Sequence, residues 1–222
     1  GSGGHSNYQS NWGRRGGGVV RVFLTGDAVV DGILRADSAS SGRFSGNGAG
    51  GTVLLSCRAL TGTGTFSAAG CAGYQYTTSS SAHNGGAGGG GRIAVHYDTG
   101  SQPNAGITFR APGGEGVGGG ALSGSGDPGT LWFSDDRLIA GKTTFDHKGA
   151  IYWPERLWSL SMASLTLEDG LIDLPPGGFV DVTGDVTVNG ASVAGAGFNL
   201  SEGYFHCGGK LTMKAGHITI TG

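Results

Sequence analysis

A short alternating strand led by glycine recurs along this chain, and that self-similarity restricts its fold more than any other feature of the sequence. The first copy reads Gly16-Gly17-Gly18-Val19-Val20-Arg21-Val22-Phe23-Leu24 and continues at Gly32-Ile33-Leu34-Arg35-Ala36-Asp37. The second reads Gly50-Gly51-Thr52-Val53-Leu54-Leu55-Ser56-Cys57, then Gly64-Thr65-Phe66-Ser67-Ala68-Ala69-Gly70. The third reads Gly90-Gly91-Arg92-Ile93-Ala94-Val95-His96-Tyr97, then Gly106-Ile107-Thr108-Phe109-Arg110-Ala111. A degenerate fourth opens at Gly129-Thr130-Leu131-Trp132-Phe133. The leading glycines Gly18, Gly51, Gly91 and Gly129 stand 33, 40 and 38 residues apart, so the strand pair is constant while the loops vary.

After about residue 145 the glycine runs stop and the period shortens. Leu165-Thr166-Leu167-Glu168-Asp169-Gly170 is echoed by Val186-Thr187-Val188-Asn189-Gly190 and by Leu211-Thr212-Met213-Lys214-Ala215-Gly216, with glycines 20 and 26 residues apart. Short alternating strands with a glycine at fixed phase describe the turns of a β-solenoid. The expected fold is therefore all-β, a right-handed parallel β-helix. Residues 1–145 would form glycine-rich repeats with long loops, and residues 146–222 short-loop turns continuous with them. A β-sandwich is the alternative, because eight or more short strands would also suit one. Glycine at the corners is expected to supply dihedrals closed to other residues and to let successive turns stack closely. The long loops, Gly42 to Gly51, Gly85 to Gly91 and Gly113 to Gly126, either protrude or lie in register against copies of themselves.

With 49 glycines and 6 prolines in 222 residues, the composition borders on low complexity. A disordered chain would carry more net charge than −2 and fewer β-branched and aromatic residues. Collagen is excluded by the absence of a Gly-X-Y period. The balance of 14 basic and 16 acidic residues points to no nucleic-acid partner. No apolar run approaches the roughly 20 residues of a membrane span. No basic and apolar leader opens the chain, and the expectation is a segment of a longer protein. Cys57 and Cys71 are spaced to close a 14-residue loop by a disulfide, or serve with Cys207 as small buried hydrophobes. If they pair, Cys207 is left to bond another segment or chain.

The motifs that usually carry chemistry do not hold up. Gly46-Asn47-Gly48-Ala49-Gly50-Gly51 satisfies the dinucleotide pattern, but it leads into a strand and lacks the helix terminus that binds phosphate. Gly141-Lys142-Thr143 resembles the end of a Walker loop, yet Asp136 stands where the first glycine is needed. Asp135-Asp136 is the one acidic doublet of the kind found in pectin-cleaving β-helix hydrolases; Glu115, Asp146 and Asp173 lie elsewhere. Glycoside hydrolysis needs two carboxyls about 5–9.5 Å apart, and a doublet on a strand points to opposite faces. The Gly-His-Gly and Arg-Ile-Lys companions of that family are missing, and no Asp-rich calcium pattern occurs. The six histidines are scattered singly, with His96 and His217 on alternating strands. No catalytic, cofactor-binding or metal-binding residue is assigned. Trp132, Trp153 and Trp158 either stack on sugar rings or staple the junction between the two regions. Asn199-Leu200-Ser201 is an acceptor sequence for N-glycosylation in a secreted eukaryotic protein.

The pattern carried by Gly50 to Gly70 and by Gly85 to Tyr97 resembles a known family. It is similar to the glycine-rich β-helix repeats of very large extracellular and surface proteins of protists, planctomycetes and related bacteria, among them mastigoneme-type proteins of flagellar hairs. The resemblance covers residues 1–125 and brings no catalytic residues. It implies a structural segment of a large extracellular or cell-surface protein, built into a stiff rod, filament or appendage. Its partners would be copies of itself or flanking repeats of the parent chain. A carbohydrate-binding adhesin module that engages glycans and a polysaccharide-degrading enzyme centred on Asp135-Asp136 are the other two expectations.

Overall fold

The computed structural model describes residues 13–39, 46–77, 82–116, 124–135, 137–138, 144–154, 159–174, 176–190 and 196–221. These residues are all-β, with no helix among them. The first repeat supplies β1 (Val19–Phe23), β2 (Ala28–Val29) and β3 (Ile33–Arg35). The second supplies β4 (Thr52–Ser56), β5 (Leu60–Thr61) and β6 (Thr65–Ser67), followed by a hairpin of β7 (Tyr74–Thr77) and β8 (Ala82–Gly85). The third supplies β9 (Arg92–His96) and β10 (Thr108–Arg110), and the fourth supplies β11 (Thr130–Phe133). There follow β12 (Thr144–Pro154), β13 (Ser159–Met162), β14 (Leu165–Asp173), β15 (Phe179–Val182) and β16 (Val186–Asn189). The last strands are β17 (Ala196–Ser201), β18 (Tyr204–Cys207), β19 (Leu211–Ala215) and β20 (His217–Thr221).

Each strand pairs with its counterpart in the next repeat rather than with its neighbour in sequence. The large sheet runs β1-β4-β9-β11-β12-β14-β16-β19, with β17 beside β14 and β20 beside β17. Smaller sheets join β10-β6-β3, β13-β15-β18 and β2-β5. Among the described residues every pairing is parallel except that of the β7–β8 hairpin. One row of partners runs through from β1 to β20, although the register shifts elsewhere, between Phe145 and Ile151 of β12 against β14 and after Val188 of β16 against β19. Val20, Val53, Ile93, Leu131, Tyr152, Ile172, Phe198 and Ile218 are successive partners in one row. Val53, Ile93, Leu131, Ile172 and Phe198 are buried, while Val20 and Ile218 at the two ends are only partly covered. Alternation along each strand dictates this, because every second residue faces the core and parallel register stacks like on like. Burying an aliphatic or aromatic side chain contributes about 1.5–3 kcal/mol, so the row is a main source of stability.

Long β12 links the two regions read from the sequence. Ile151 to Pro154 pair with β11, while Thr144, Phe145 and Asp146 and then Ile151 and Tyr152 pair with β14 across register shifts. The expected boundary between residues 145 and 146 thus falls inside one strand. In the second region Leu165, Val186 and Leu211, the echo visible in the sequence, are partners in a single row.

Of the two roles expected of the glycines, close stacking holds for most of them and special dihedrals for few. Of the phase-marking glycines, Gly170 (φ 121°) and Gly216 (φ 138°) adopt the left-handed backbone that favours glycine. Gly51, Gly91 and Gly129 do not. They are glycine because the preceding repeat's carbonyl leaves no room. A Cβ would stand 1.9 Å from Gly18 O at position 51, 2.1 Å from Gly51 O at position 91 and 2.0 Å from Gly91 O at position 129. The described parts of the long loops stack in the same manner. Cys71 N donates to Gly48 O, Gly88 N to Cys71 O, Gly114 N to Gly88 O and Gly126 N to Gly114 O. These loop segments lie in register against one another instead of protruding.

Candidate functional site

Hydrogen bonds from side chains tie each repeat to the next and fix the turns between strands. Arg58 lies against Asp27, its Nε 2.8 Å from Oδ1 and its Nη2 2.6 Å from Oδ2. That ion pair, with the hydrogen bond as its larger part, holds the Asp27 carboxyl below the usual carboxylate range. Asp37 Oδ1 accepts from Ser67 Oγ at 2.6 Å and from the Ala69 amide at 2.7 Å. Buried Gln102 bridges β5 from the following repeat, accepting from Leu60 N at 2.8 Å and donating to Leu60 O at 2.7 Å. In the second region His206 Nδ1 lies 2.7 Å from Asp181 Oδ1, and Lys210 N donates to Asp185 Oδ1 at 2.8 Å. None of these partners was singled out from the sequence. Their one legible signal is a charged residue after glycine, at Gly26-Asp27, Gly184-Asp185 and Gly209-Lys210.

The sheet edges are the other distinctive surfaces. β1 closes one end of the large sheet, with β2 and β3 at the same end of their own sheets. At the other end β19, β20 and β18 are the last strands of theirs. Both edges expose large apolar side chains: Val19, Phe23 (67%), Val29 (71%) and Ile33 at the first, Leu211, Met213 and Ile220 (51%) at the second. Tyr204 on β18 stacks flat on Phe179 of β15, with centroids 4.7 Å apart and planes at 4°, and is half-exposed.

The residues picked out from the sequence do not converge. Trp132, half-buried on β11, meets the exposed His96 ring at 4.2 Å. Trp153 is its register partner in β12, although its side chain, like the whole of Trp158, lies outside the described residues. Asp135 follows β11 and is consumed by structure. Its carboxylate accepts the Tyr97 hydroxyl proton at 2.6 Å and the Arg137 amide at 2.9 Å, with Arg137 Nε 3.2 Å away. Burial, reinforced by the hydrogen bond to Asp135, pushes the Tyr97 hydroxyl well above the normal phenol range. Asp136 lies outside the described residues, as does the Asp146 side chain. Glu115 is exposed. Asp173, beside Asn199 in register, is raised by burial.

Cys57, Cys71 and Cys207 are all free thiols, so the Cys57–Cys71 bridge is not formed. The chain path explains this. Cys57 is buried just after β4 and bonded through its amide to His96, whereas Cys71 lies past β6 and is bonded to Gly48. Burial and then the charge of Asp27 raise the Cys57 thiol, and burial raises Cys71 against the opposing pull of Arg14. Asn199 sits in mid-strand on β17, half-buried, its Oδ1 3.2 Å from His217 Nε2 on β20. Among the described residues no three of His, Cys, Asp and Glu gather as metal ligands would, and no helix is long and apolar enough to cross a membrane. No protein-family model matches the chain, and no curated protein or solved structure matches it either.

Proposed function

We propose that the chain is a structural segment of a large extracellular or cell-surface protein, a right-handed parallel β-helix that forms part of a stiff rod, filament or appendage of the flagellar-hair kind. The observation that carries this reading is the unbroken row of parallel partners from Val20 to Ile218. Eight strands at about 4.8 Å each make a column roughly 34 Å long between its first and last members. A right-handed path between parallel strands is the rule for such connections. A β-sandwich is built of antiparallel strands, and the parallel pairing weighs against it. The role is mechanical. Hydrogen bonds between repeats resist bending, and the side-chain bonds of Asp27, Asp37, Asp181 and Asp185 hold neighbouring turns in register. The engagement of Asp135 by Tyr97 and Arg137 supports a non-enzymatic reading of that turn.

Negative-stain microscopy of native material tests the proposal. Regular filaments that contain this chain as a repeating unit are expected, and dispersed particles alone would overturn it. A glycan released enzymatically from Asn199 would place the parent protein in the secretory route. The His96–Trp132 ring pair favours a second reading, a carbohydrate-binding module with partly exposed aromatic rings. Retention on a polysaccharide column that Trp132→Ala removes would support that reading, and failure to bind any of a broad panel would dismiss it.

A further inference from the structure

We propose that the outward face of the large sheet around Trp132 binds an acidic polysaccharide, one whose sugars carry carboxylate or sulfate groups. This rests on the reading of the chain as a carbohydrate-binding module and names the class of glycan that the site takes. Alternation along β9 and β11 sets the face. Ile93, Val95, Leu131 and Phe133 are buried in the core, so Arg92, Ala94, His96, Thr130 and Trp132 stand on the other side. Register then fixes their neighbours. Half-buried Trp132 is level with Ala94, which has Arg92 two residues before it and His96 two residues after it. These two exposed residues flank the indole diagonally and lie four residues apart on β9, about 13 Å, the length of a short oligosaccharide. The His96 ring stands 4.2 Å from the indole, tilted by 40°.

Charge selects the class of ligand. Arg35, Arg58 and Arg137 are held by Asp37, Asp27 and Asp135, whereas exposed Arg92 has no ion-pair partner among the described residues. Arg21, two strands from Ala94 in the same row, is a second exposed arginine of this face, likewise without such a partner among the described residues. Strands β1, β4, β9 and β11 contain no aspartate or glutamate, although the chain as a whole has more acidic than basic residues. An uncompensated guanidinium forks onto a carboxylate or sulfate through two parallel hydrogen bonds. The indole offers a ring face against which the apolar C–H side of a sugar packs. Thr52 and Thr130, the register neighbours of Arg92, bring hydroxyls that both donate to and accept from those of a sugar. A nucleic acid would call for a longer run of cations than these two arginines. A flat surface of aromatic ring and hydroxyls favours sugar rings over an acidic peptide.

The experiment is affinity electrophoresis of the purified 222-residue chain, with dissociation constants read from mobility against polymer concentration. The polymers come in matched pairs, polygalacturonate with methyl-esterified pectin and dextran sulfate with dextran. An acidic member should retard the chain more than its neutral partner, and the pair that shows this tells carboxylate from sulfate. Arg92→Gln should weaken that binding about tenfold, and Arg92→Lys, which keeps the charge without the fork, by less. Arg110→Gln alters an exposed arginine on β10, in another sheet, and should leave binding unchanged. All three variants change exposed side chains and should melt like the parent. Equal retardation by acidic and neutral members, or retardation by neutral members alone, would overturn the acidic assignment and leave the carbohydrate reading standing. Equal loss in Arg110→Gln, or equally tight binding of polyglutamate or duplex DNA, would show charge alone at work and overturn it too. Retardation by none of the four polymers overturns the proposal, and the carbohydrate reading falls with it only if the broad panel fails as well.

Discussion

Gly91 offers the sharpest test of why glycine recurs at the head of each repeat. A Cβ at position 91 would stand 2.1 Å from Gly51 O, 2.7 Å from Gly50 C and 2.8 Å from Gly51 N. All three are backbone atoms, which cannot swing aside as a side-chain tip would. Ordinary contact lies near 3.5 Å, so Gly91→Ala forces the two strands apart by about 1 Å. The bonds beside the clash are Arg92 N to Gly51 O at 2.8 Å and Gly91 N to Ala68 O at 2.7 Å. A retreat of that size takes both beyond useful length, and a buried backbone group left unpaired costs about 1–3 kcal/mol. Against that loss, alanine restricts the unfolded chain and returns about 0.4–1 kcal/mol. The net destabilisation is about 2–4 kcal/mol, which lowers the Tm of a chain this size by roughly 5–15 °C. Gly26→Ala is the control, since among the described residues nothing lies within 4 Å of where a Cβ would stand, and it should melt at or slightly above the parent. Thermal and urea melts of the three proteins settle the matter. If Gly91→Ala and Gly26→Ala melt together, close approach of the backbones is not what selects glycine.

Tyr97→Phe removes the hydroxyl that Asp135 accepts and should cost about 1–2 kcal/mol in a urea melt. The neutral phenol is favoured in the fold and its pKa is raised, so the parent loses stability as pH rises above 10, where unfolded tyrosine ionises first. The variant should lose less over that window, and equal slopes would refute the assignment. Asp173 is also raised by burial, so its carboxyl favours the fold most when protonated and weakens it as pH climbs above 3.8. Asp173→Asn should therefore raise the Tm at neutral pH more than at pH 4, and a uniform shift would argue against burial as the cause. Thiol labelling of the folded chain should leave Cys57 protected while Cys71 and Cys207 react, because Cys57 alone is buried.

The strands that open each repeat were legible because a leading glycine, doubled in the first three copies, is followed there by alternating apolar residues. Val19–Phe23, Thr52–Ser56, Arg92–His96 and Thr130–Phe133 fall where the sequence places them. So do the shorter strands Ile33–Arg35, Thr65–Ser67 and Thr108–Arg110. The continuity of the large sheet through β12 could not be read, since Thr144–Pro154 has no glycine pair at its head and its pairing with β14 shifts register between Phe145 and Ile151. The β7–β8 hairpin falls between the second and third copies, where the sequence shows no leading glycine pair and no strand was expected. The role of glycine was half read. Close stacking was foreseen, but left-handed corners were expected at positions where the backbone is ordinary, because φ leaves no trace in a sequence when sterics alone would select the same residue. Contacts such as Gln102 on β5 and Tyr97 with Asp135 join residues 42 and 38 apart, a distance that no local pattern spans.

The spacing of the repeats and the register of the strands obey different energetics, and this explains how one parallel sheet tolerates both long and short loops. From Gly18 to Gly129 the spacing is 33 to 40 residues, whereas from Gly170 to Gly190 to Gly216 it is 20 and then 26. Closing a flexible loop costs only about 0.6 kcal/mol more for each doubling of its length. Lengthening a connection from 20 to 40 residues is therefore nearly free. Interrupting a row is not. A slip of one residue at β9 would turn Ile93 and Val95 outward and bring Arg92 and Ala94 to the core, losing two buried side chains at about 1.5–3 kcal/mol each before the buried charge is counted. It would also set Arg92, which carries a Cβ, at the position where Gly51 O leaves room only for glycine. Loop length is thus free to drift while the row is held from both sides, by the apolar residues that follow each glycine and by the glycine itself. A chain under these two constraints varies in its loops, as Gly42 to Gly51 and Gly113 to Gly126 do, and keeps its register from Val19 to His217.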